Sequence, residues 1–415
     1  MKEHGTVIAG AGLAGATAAE GLRSEGYAGP ITMIGSERDA PYLRPPLSKA
    51  FLAGAEGEDA LPVQPPAWYR EQQVDLRTSV TVERLSRQDR VLVCSDGSVV
   101  PYDRLLIATG ASPRRLPLSG TDLDGVVYLR TVEESRHLQS VLHRSPGEAP
   151  ARLVLIGSGW IGMEVAATAR TLGAEVTVVG MEAVPLGAAI GPELGGVFLR
   201  RHQAEGVRFH LSETVRGIVG AAGRVTGVQL GSGETAPADV VVIAIGAVPN
   251  VQIAEGTGLG MDNGIRVGDT LRTNDASIWA AGDVASVYQP ALGRYQRFEH
   301  WANAIATGSR AARSMLGLPV GPQELPYFYT DQFDVGMEYW GHPSLAASAK
   351  LILRGDPDSG AFVAFWVTQE GPSAGAVVAG MHVNVWDSPD EIKHLITSQE
   401  PVDPTVLAGT TGRAA

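Results

Sequence analysis

Two stretches of the chain carry the same alternation of apolar and polar positions. Thr6 to Glu37 reads "TVIAGAGLAGATAAEGLRSEGYAGPITMIGSE", and Arg152 to Glu182 reads "RLVLIGSGWIGMEVAATARTLGAEVTVVGME". Each opens with a short apolar run and passes through a glycine turn. An alanine-rich segment at helical spacing follows, then a glycine stop and a second apolar run. That order predicts strand, helix and strand. Its recurrence about 145 residues further on predicts two doubly wound α/β domains, with parallel sheets buried on both faces.

The rest of the pattern fits around these two units. "RLLIATGASPRRLPLSG" and "DVVVIAIGAVPN" each hold an apolar strand that runs into a glycine turn and then proline, as a chain crossing between domains would. "ASIWAAGDVASV" adds a buried strand ending in Gly282-Asp283, and a helical pattern begins near Glu299. Beyond Pro322, "YFYTDQFDVGMEYWG", "AKLILRG" and "GAFVAFWVTQEG" alternate as antiparallel strands do. A polar helix near Asp387 to Ser398 and a frayed tail close the chain. The predicted division is a discontinuous domain of residues 1–112 and 244–320, a second domain of 113–243, and a C-terminal α+β domain of 321–415.

Composition narrows the chemistry. The net charge of −12 over 415 residues argues against general nucleic-acid binding. No apolar run is long enough to span a bilayer. The first residues enter a strand at once, so no leader is expected and a cytoplasmic location follows by default. Cys94 is the single cysteine, which excludes a disulfide framework, a cysteine metal site and a Cys-x-x-Cys redox pair. Only four of the 33 basic residues are lysines, and Lys49 is one of them.

Gly10-x-Gly12-x-x-Gly15 follows a strand and opens a helix. In such a turn the first glycine makes the bend, the second admits a pyrophosphate to the helix N-terminus, and the third lets helix and strand pack closely. Glu37 stands at the next strand end, where an acid takes ribose hydroxyls. Gly157-x-Gly159-x-x-Gly162 repeats the motif, but its strand ends near Gly180 in place of an acid. Two such turns imply two dinucleotides in one chain, and hydride transfer from a nicotinamide to a flavin is the economical chemistry.

"YLRPPLSK", "ATGASPR", "AIGAVPN", "IWAAGDVA", "FEHWANAIATG" and "YFYTDQFD" occur here in an order that resembles the FAD-dependent, NAD(P)H-linked ferredoxin reductases of the putidaredoxin and rubredoxin reductase type, kin to apoptosis-inducing factor. The resemblance runs over nearly the whole chain. It implies two Rossmann-like domains, for FAD and NAD, and a C-terminal α+β domain. It places Gly10, Gly12, Gly15, Glu37, Arg44, Lys49, Thr109, Gly110, Arg130, Gly282, Asp283, Glu299, Trp301 and Tyr329 at FAD. Gly157, Gly159, Ile161, Gly162, Glu164, Glu182 and Gly246 fall to NADH, with NADPH as the alternative.

In detail, the resemblance has Asp283 accept from the ribitol chain and Arg44 neutralise pyrophosphate or order its loop. Lys49 is to reach the flavin edge near N5 and pair with Glu164, and these two are the expected catalytic residues. Tyr329 and Thr330 stand where relatives carry Trp and Ser. The resemblance also implies an iron–sulfur ferredoxin as electron acceptor, serving a cytochrome P450 or another oxygenase. A basic patch is needed to steer an acidic partner to an acidic enzyme. Arg294, Arg297, Arg310 and Arg313 offer one, and Lys393 with His394 a second. Relatives using NADH usually carry Glu where Gly180 stands. Either Glu182 turns back to the ribose or Arg200 and Arg201 approach a 2′-phosphate, and the expected outcome is weakened discrimination with NADH modestly preferred. Two other readings stay open, a reductase of a small quinone-like acceptor and a redox sensor like apoptosis-inducing factor.

Overall fold

The computed structural model describes residues 4–145, 147–371 and 373–409. The stretch after 409, where a frayed tail is expected, lies outside them. The chain forms two compact units. One comprises the residues up to Arg44, Gly57–Ser112 and Ala247–Glu324; the other comprises Pro45–Glu56, Pro113–Gly246 and the chain from Leu325 onward.

In the first unit, five parallel strands lie in the order Ile278–Ala280, Arg104–Ile107, Thr6–Ala9, Ile31–Ile34, Val74–Arg77. Val7, Ile8, Ala9, Leu105, Leu106 and Ile107 are all buried. Uninterrupted apolar strands suit a sheet covered on both faces. Each of the larger side chains contributes roughly 1.5–3 kcal/mol by leaving water. Helix Leu13–Ser24 turns Ala14, Ala18, Ala19 and Leu22 inward. Small residues let it approach helix Trp301–Met315 closely: a Cβ on Gly308 would stand 2.5 Å from the Ala14 carbonyl oxygen. A small antiparallel sheet, Val82–Ser86, Val91–Cys94 and Val99–Pro101, buries Cys94.

The second unit repeats the plan. Its parallel strands run Arg208–His210, Glu175–Val179, Arg152–Ile156, Val240–Ile243, Val126–Val127. Helix Trp160–Thr171 follows the second glycine turn. The same unit holds a five-stranded antiparallel sheet, Tyr327–Gln332, Val335–Gly341, Val377–Val383, Ala361–Val367, Lys350–Asp356. One hydrophobic core joins Leu153, Met163 and Phe198 of the α/β part to Tyr339, Phe362 and Trp366 of this sheet. Helix Pro389–Ser398 covers the outer face through Ile392 and Ile396. Among the described residues, no helix is long and apolar enough to cross a membrane, and no group of His, Cys, Asp and Glu is arranged to hold a metal.

Candidate dinucleotide and electron-transfer site

The two glycine turns divide their labour in the same way. Gly10 has φ +125° and Gly157 has φ +111°, and a Cβ on either would fall within 2.0 and 2.2 Å of the Ala108 and Ala244 carbonyl oxygens. Only glycine tolerates both conditions. A Cβ on Gly15 or Gly162 would sit 2.2 or 2.4 Å from the carbonyl oxygen of the turn's own first glycine, so these residues bring the helix against the strand. Gly12 and Gly159 differ: a Cβ there meets nothing within 4 Å. Their lack of a side chain serves no packing inside the protein. It leaves the backbone open to a group from outside. Both helices begin at these glycines with no side-chain cap and no acid in the first turn. Their free N–H groups and positive dipole ends suit a pyrophosphate, so both turns fit a dinucleotide.

Around the first turn, Glu37 accepts from the Arg44 guanidinium at 2.5 Å and from the Tyr42 hydroxyl. Burial opposes the Arg44 charge, but Tyr42, Glu37 and Asp283 outweigh it and hold its pKa above the ordinary value. Of the two roles sequence offers Arg44, the geometry displays loop ordering. Thr109 donates through Oγ1 to the Asn250 carbonyl at 2.7 Å, the Asn250 amide returns a bond to the Thr109 carbonyl at 2.8 Å, and Asn250 N–H binds Gly110 O at 2.9 Å. Asn250 thus stitches the "ATG" and "VPN" turns together, a function that its motif alone did not reveal. Gly282 donates its N–H to Thr307 Oγ1 at 2.9 Å, which sets Asp283 in a buried turn. Glu299 pairs with Arg297 at 2.5 Å, and Trp301 begins its helix 38% exposed.

The second unit holds Lys49, Arg130 and Tyr329 as well as the second turn. The Arg130 N–H is taken by Glu134, within the capping box at Thr131. Lys49 Nζ stands 2.8 Å from Glu164 Oε1 and 5.1 Å from the centre of the Tyr329 ring. Local bonds fix this placement. The turn Pro45–Ser48 is tied by Leu47 O to Ser135 Oγ at 2.8 Å and by Ser48 O to Thr168 Oγ1 at 2.8 Å. The second bond anchors Lys49 to the very helix that carries Glu164. Glu164 also accepts from Ser48 Oγ at 2.5 Å and Thr330 Oγ1 at 2.7 Å. Burial pushes the Tyr329 hydroxyl up to about 12, with Asp331 and Glu164 adding to it. Burial also raises the Asp331 carboxyl, Lys49 opposing and Glu164 reinforcing. Ser48, bonded to Glu164, and Gln332 and His202, linked to it through Thr330, were not singled out in the sequence.

At the end of strand Glu175–Val179, a Cβ on Gly180 would meet Ser158 Oγ at 2.7 Å and Ser158 Cβ at 3.1 Å. The ribose-binding acid is therefore not simply missing; its place is filled by a neighbour. Glu182, Arg200 and Arg201 each have partners of their own at this end. Glu182 accepts from the Ala188 N–H at 3.0 Å, facing the start of the next helix. Arg200 is paired with Asp358 at 2.6 Å, and Arg201 with Asp334 and Glu205 at 2.5 and 2.6 Å. Asp358 and Asp334 are distant in sequence, whereas Glu205 is one helical turn on from Arg201. Ile161 is 48% and Met181 80% exposed. Gly246, with φ +92°, is another glycine whose Cβ would meet nothing within 4 Å.

Three cations of the expected basic patch have partners as well. Arg313 is paired with Glu25 and donates to Pro319 O at 3.0 Å. Arg310 donates to Asp269 O at 2.8 Å, and burial lowers its pKa. Lys393 lies 3.7 Å from Asp390 and 5.2 Å from the Trp340 ring.

Two open glycine turns, each at the head of a parallel-sheet unit, define a two-dinucleotide oxidoreductase. Residues 4–308 match the family model described as pyridine nucleotide-disulphide oxidoreductase, and residues 327–412 match the one described as reductase C-terminal. The chain belongs to the pyridine nucleotide-disulphide oxidoreductase family, and it is an FAD- and NAD(P)H-using enzyme. It is 39% identical over 409 residues to the anthranilate 1,2-dioxygenase system ferredoxin–NAD(+) reductase component of Burkholderia cepacia, covering 98% of this chain and 97% of that one. Rhodocoxin reductase of Rhodococcus erythropolis is 39% identical over 86% of this chain and 82% of its own. The solved covalent putidaredoxin reductase–putidaredoxin complex superposes with a TM-score of 0.90 at 33% identity, over 97% of this chain and 95% of that chain. The family's disulphide chemistry is not available here, since the single thiol, Cys94, is buried and its pKa raised by that burial.

Proposed function

We propose that this enzyme draws electrons from NADH, with FAD as the intermediate carrier, and delivers them to a small iron–sulfur ferredoxin serving an oxygenase. The observation that carries the reading is the pairing of two outward-open glycine turns with a single buried cysteine. Two dinucleotides are accommodated, and no thiol is placed to relay electrons. Similarity to the B. cepacia ferredoxin–NAD(+) reductase component and to putidaredoxin reductase supports the acceptor.

The first turn, with Thr109, Gly110, Gly282 and Asp283, would hold FAD; the second, with Ile161 and Gly246, would hold NADH. FAD, when bound, takes the two electrons of a hydride and releases them one at a time. The chain's own contribution is positional and electrostatic. Lys49 presents one positive charge for the negative charge that develops as hydride arrives. Glu164 fixes that charge, and Tyr329 lies against it. At the adenosine end no acid repels a 2′-phosphate, since Glu182 faces a helix start, and neither Arg200 nor Arg201 is turned toward it. Modest preference for NADH follows. The basic patch we assign to Arg310, Arg313 and Lys393 is weak, each cation already having an acceptor or counter-charge.

Cytochrome c reduction with and without added [2Fe–2S], [3Fe–4S] and [4Fe–4S] ferredoxins tests the acceptor. The expected result is rapid reduction only when one ferredoxin is present. Efficient reduction of small quinones with no response to any ferredoxin would overturn it. Stopped-flow measurement should show flavin reduction slowed in Lys49→Met and Glu164→Gln; unchanged rates in both would remove the pair from catalysis.

A further inference from the structure

Behind Glu164 runs a line of buried polar side chains that the proposed reaction does not use. Thr330 donates to Glu164 Oε1 at 2.7 Å; Gln332 Nε2 donates to Thr330 Oγ1 at 3.1 Å; Gln332 Oε1 lies 2.8 Å from His202 Nε2. Thr330 and His202 are 0% exposed and Gln332 1%. Thr330 and Gln332 alternate on one face of strand Tyr327–Gln332, and His202 comes from helix Gly187–Ala204.

The line has only one self-consistent direction. A carboxylate accepts and cannot donate, so the single Thr330 proton goes to Glu164. The Thr330 oxygen must then receive, and the Gln332 amide supplies an N–H. That leaves Gln332 Oε1 facing His202, so His202 carries its proton on Nε2. His202 Nδ1 has no hydrogen-bond partner among the described residues and is buried. Phe209 and Phe333 pack against the ring, Phe333 at 4.9 Å between centres. Reversing the line would place a proton on Nδ1, a buried donor with no acceptor, which is costly. Burial itself keeps the ring neutral by lowering its pKa to about 4.

We propose that His202, Gln332 and Thr330 form a one-way hydrogen-bond line whose role is to hold Glu164 as an acceptor in a single orientation, and through it the Lys49 ammonium. These are positioning residues, since none of them reaches Lys49 except through Glu164. The inference rests on the reading of Lys49 and Glu164 as the catalytic pair.

The near-isosteric Thr330→Val and Gln332→Met each cut the line, while Thr330→Ser preserves it. In rapid mixing of the FAD-loaded enzyme with NADH, Thr330→Val should lower the limiting rate of flavin reduction roughly ten- to hundredfold, as small misplacements of a reacting group do. Its apparent Kd for NADH should stay unchanged, and Thr330→Ser should restore the rate. In a Glu164→Gln background, Thr330→Val should cause no further fall. A second readout is independent of turnover. In enzyme carrying ¹⁵N-labelled histidine, assigned against His202→Asn, the His202 signal should show the Nε2–H tautomer, and Gln332→Met should abolish that preference.

If Glu164→Gln slows reduction while Thr330→Val and Gln332→Met run at the wild-type rate, the line has no role and the catalytic pair stands. If Glu164→Gln itself has no effect, the pair reading falls, and the line with it. Equal slowing by Thr330→Val in both backgrounds would mark a merely structural contribution and overturn the proposal. Should Thr330→Val not fold, Gln332→Met reads the same link, with thermal melting as the control.

Discussion

The two glycine turns are built alike up to the helix and differ at the strand that follows. After the first, the chain supplies Glu37 and holds it with Arg44 and Tyr42. After the second, it supplies Gly180, and Ser158 occupies the room a side chain would need. One frame therefore carries two different strand ends. The shared part comes from backbone sterics, which admit little change. The difference comes from one strand end and its immediate neighbour, where change is cheap.

The largest effect should come from breaking the shared part. Gly157→Ala forces a side chain into positive φ and against a backbone oxygen, and should cost about 4 kcal/mol or more by urea unfolding. Gly159→Ala, two residues away, meets open space. It should leave unfolding within about 1 kcal/mol of wild type, yet weaken NADH binding measured by titration. Equal destabilisation by both would contradict the division of labour. Gly12→Ala should do the same to FAD retention while sparing NADH.

A smaller effect should sharpen the difference. Gly180→Glu must displace Ser158, at about 1–3 kcal/mol of strain, and should lower the NADPH-to-NADH ratio of kcat/KM roughly tenfold by like-charge repulsion. Combining it with Ser158→Gly should recover stability and keep the selectivity. An unchanged ratio would mean that Gly180 does not face the 2′ position.

The smallest compares the units through one histidine in each, His300 in the first and His202 in the second, both lowered to about 4 by desolvation. The unfolded chain protonates these rings near 6.5, the folded chain only near 4. Their stabilising share is full above 6.5 and falls with pH toward 4. Between pH 6.5 and 5.5 each ring should account for about 1 kcal/mol of lost stability. Asp239, Asp275 and Glu391, held below their ordinary values, titrate lower still. His202→Asn should flatten the slope by one ring's share; an unaltered slope would assign the loss elsewhere.

Both α/β units were legible because their signal is local: an apolar run, a glycine turn and a helical period within about thirty residues. The antiparallel sheet near the C-terminus was legible from alternation alone. The resemblance brought Lys49 and Glu164 together; nothing in their spacing does. Gln332 and His202 escaped notice because they meet 130 residues apart. The partners of the arginines are hidden for the same reason. Arg313 looks like a free cation beside Arg310, but its partner Glu25 stands 288 residues earlier. Charge is read locally in a sequence and neutralised globally in a fold.

Cys94 has a practical meaning beyond the exclusion of thiol chemistry. A chain with one sulfhydryl, closed inside a small sheet, cannot be stapled to itself, and it cannot be stapled to a second copy until that sheet opens. Any mixed disulfide recovered after storage in air is then a record of molecules that came apart. Counting them on a non-reducing gel gives the frequency of that event without a denaturant or a label.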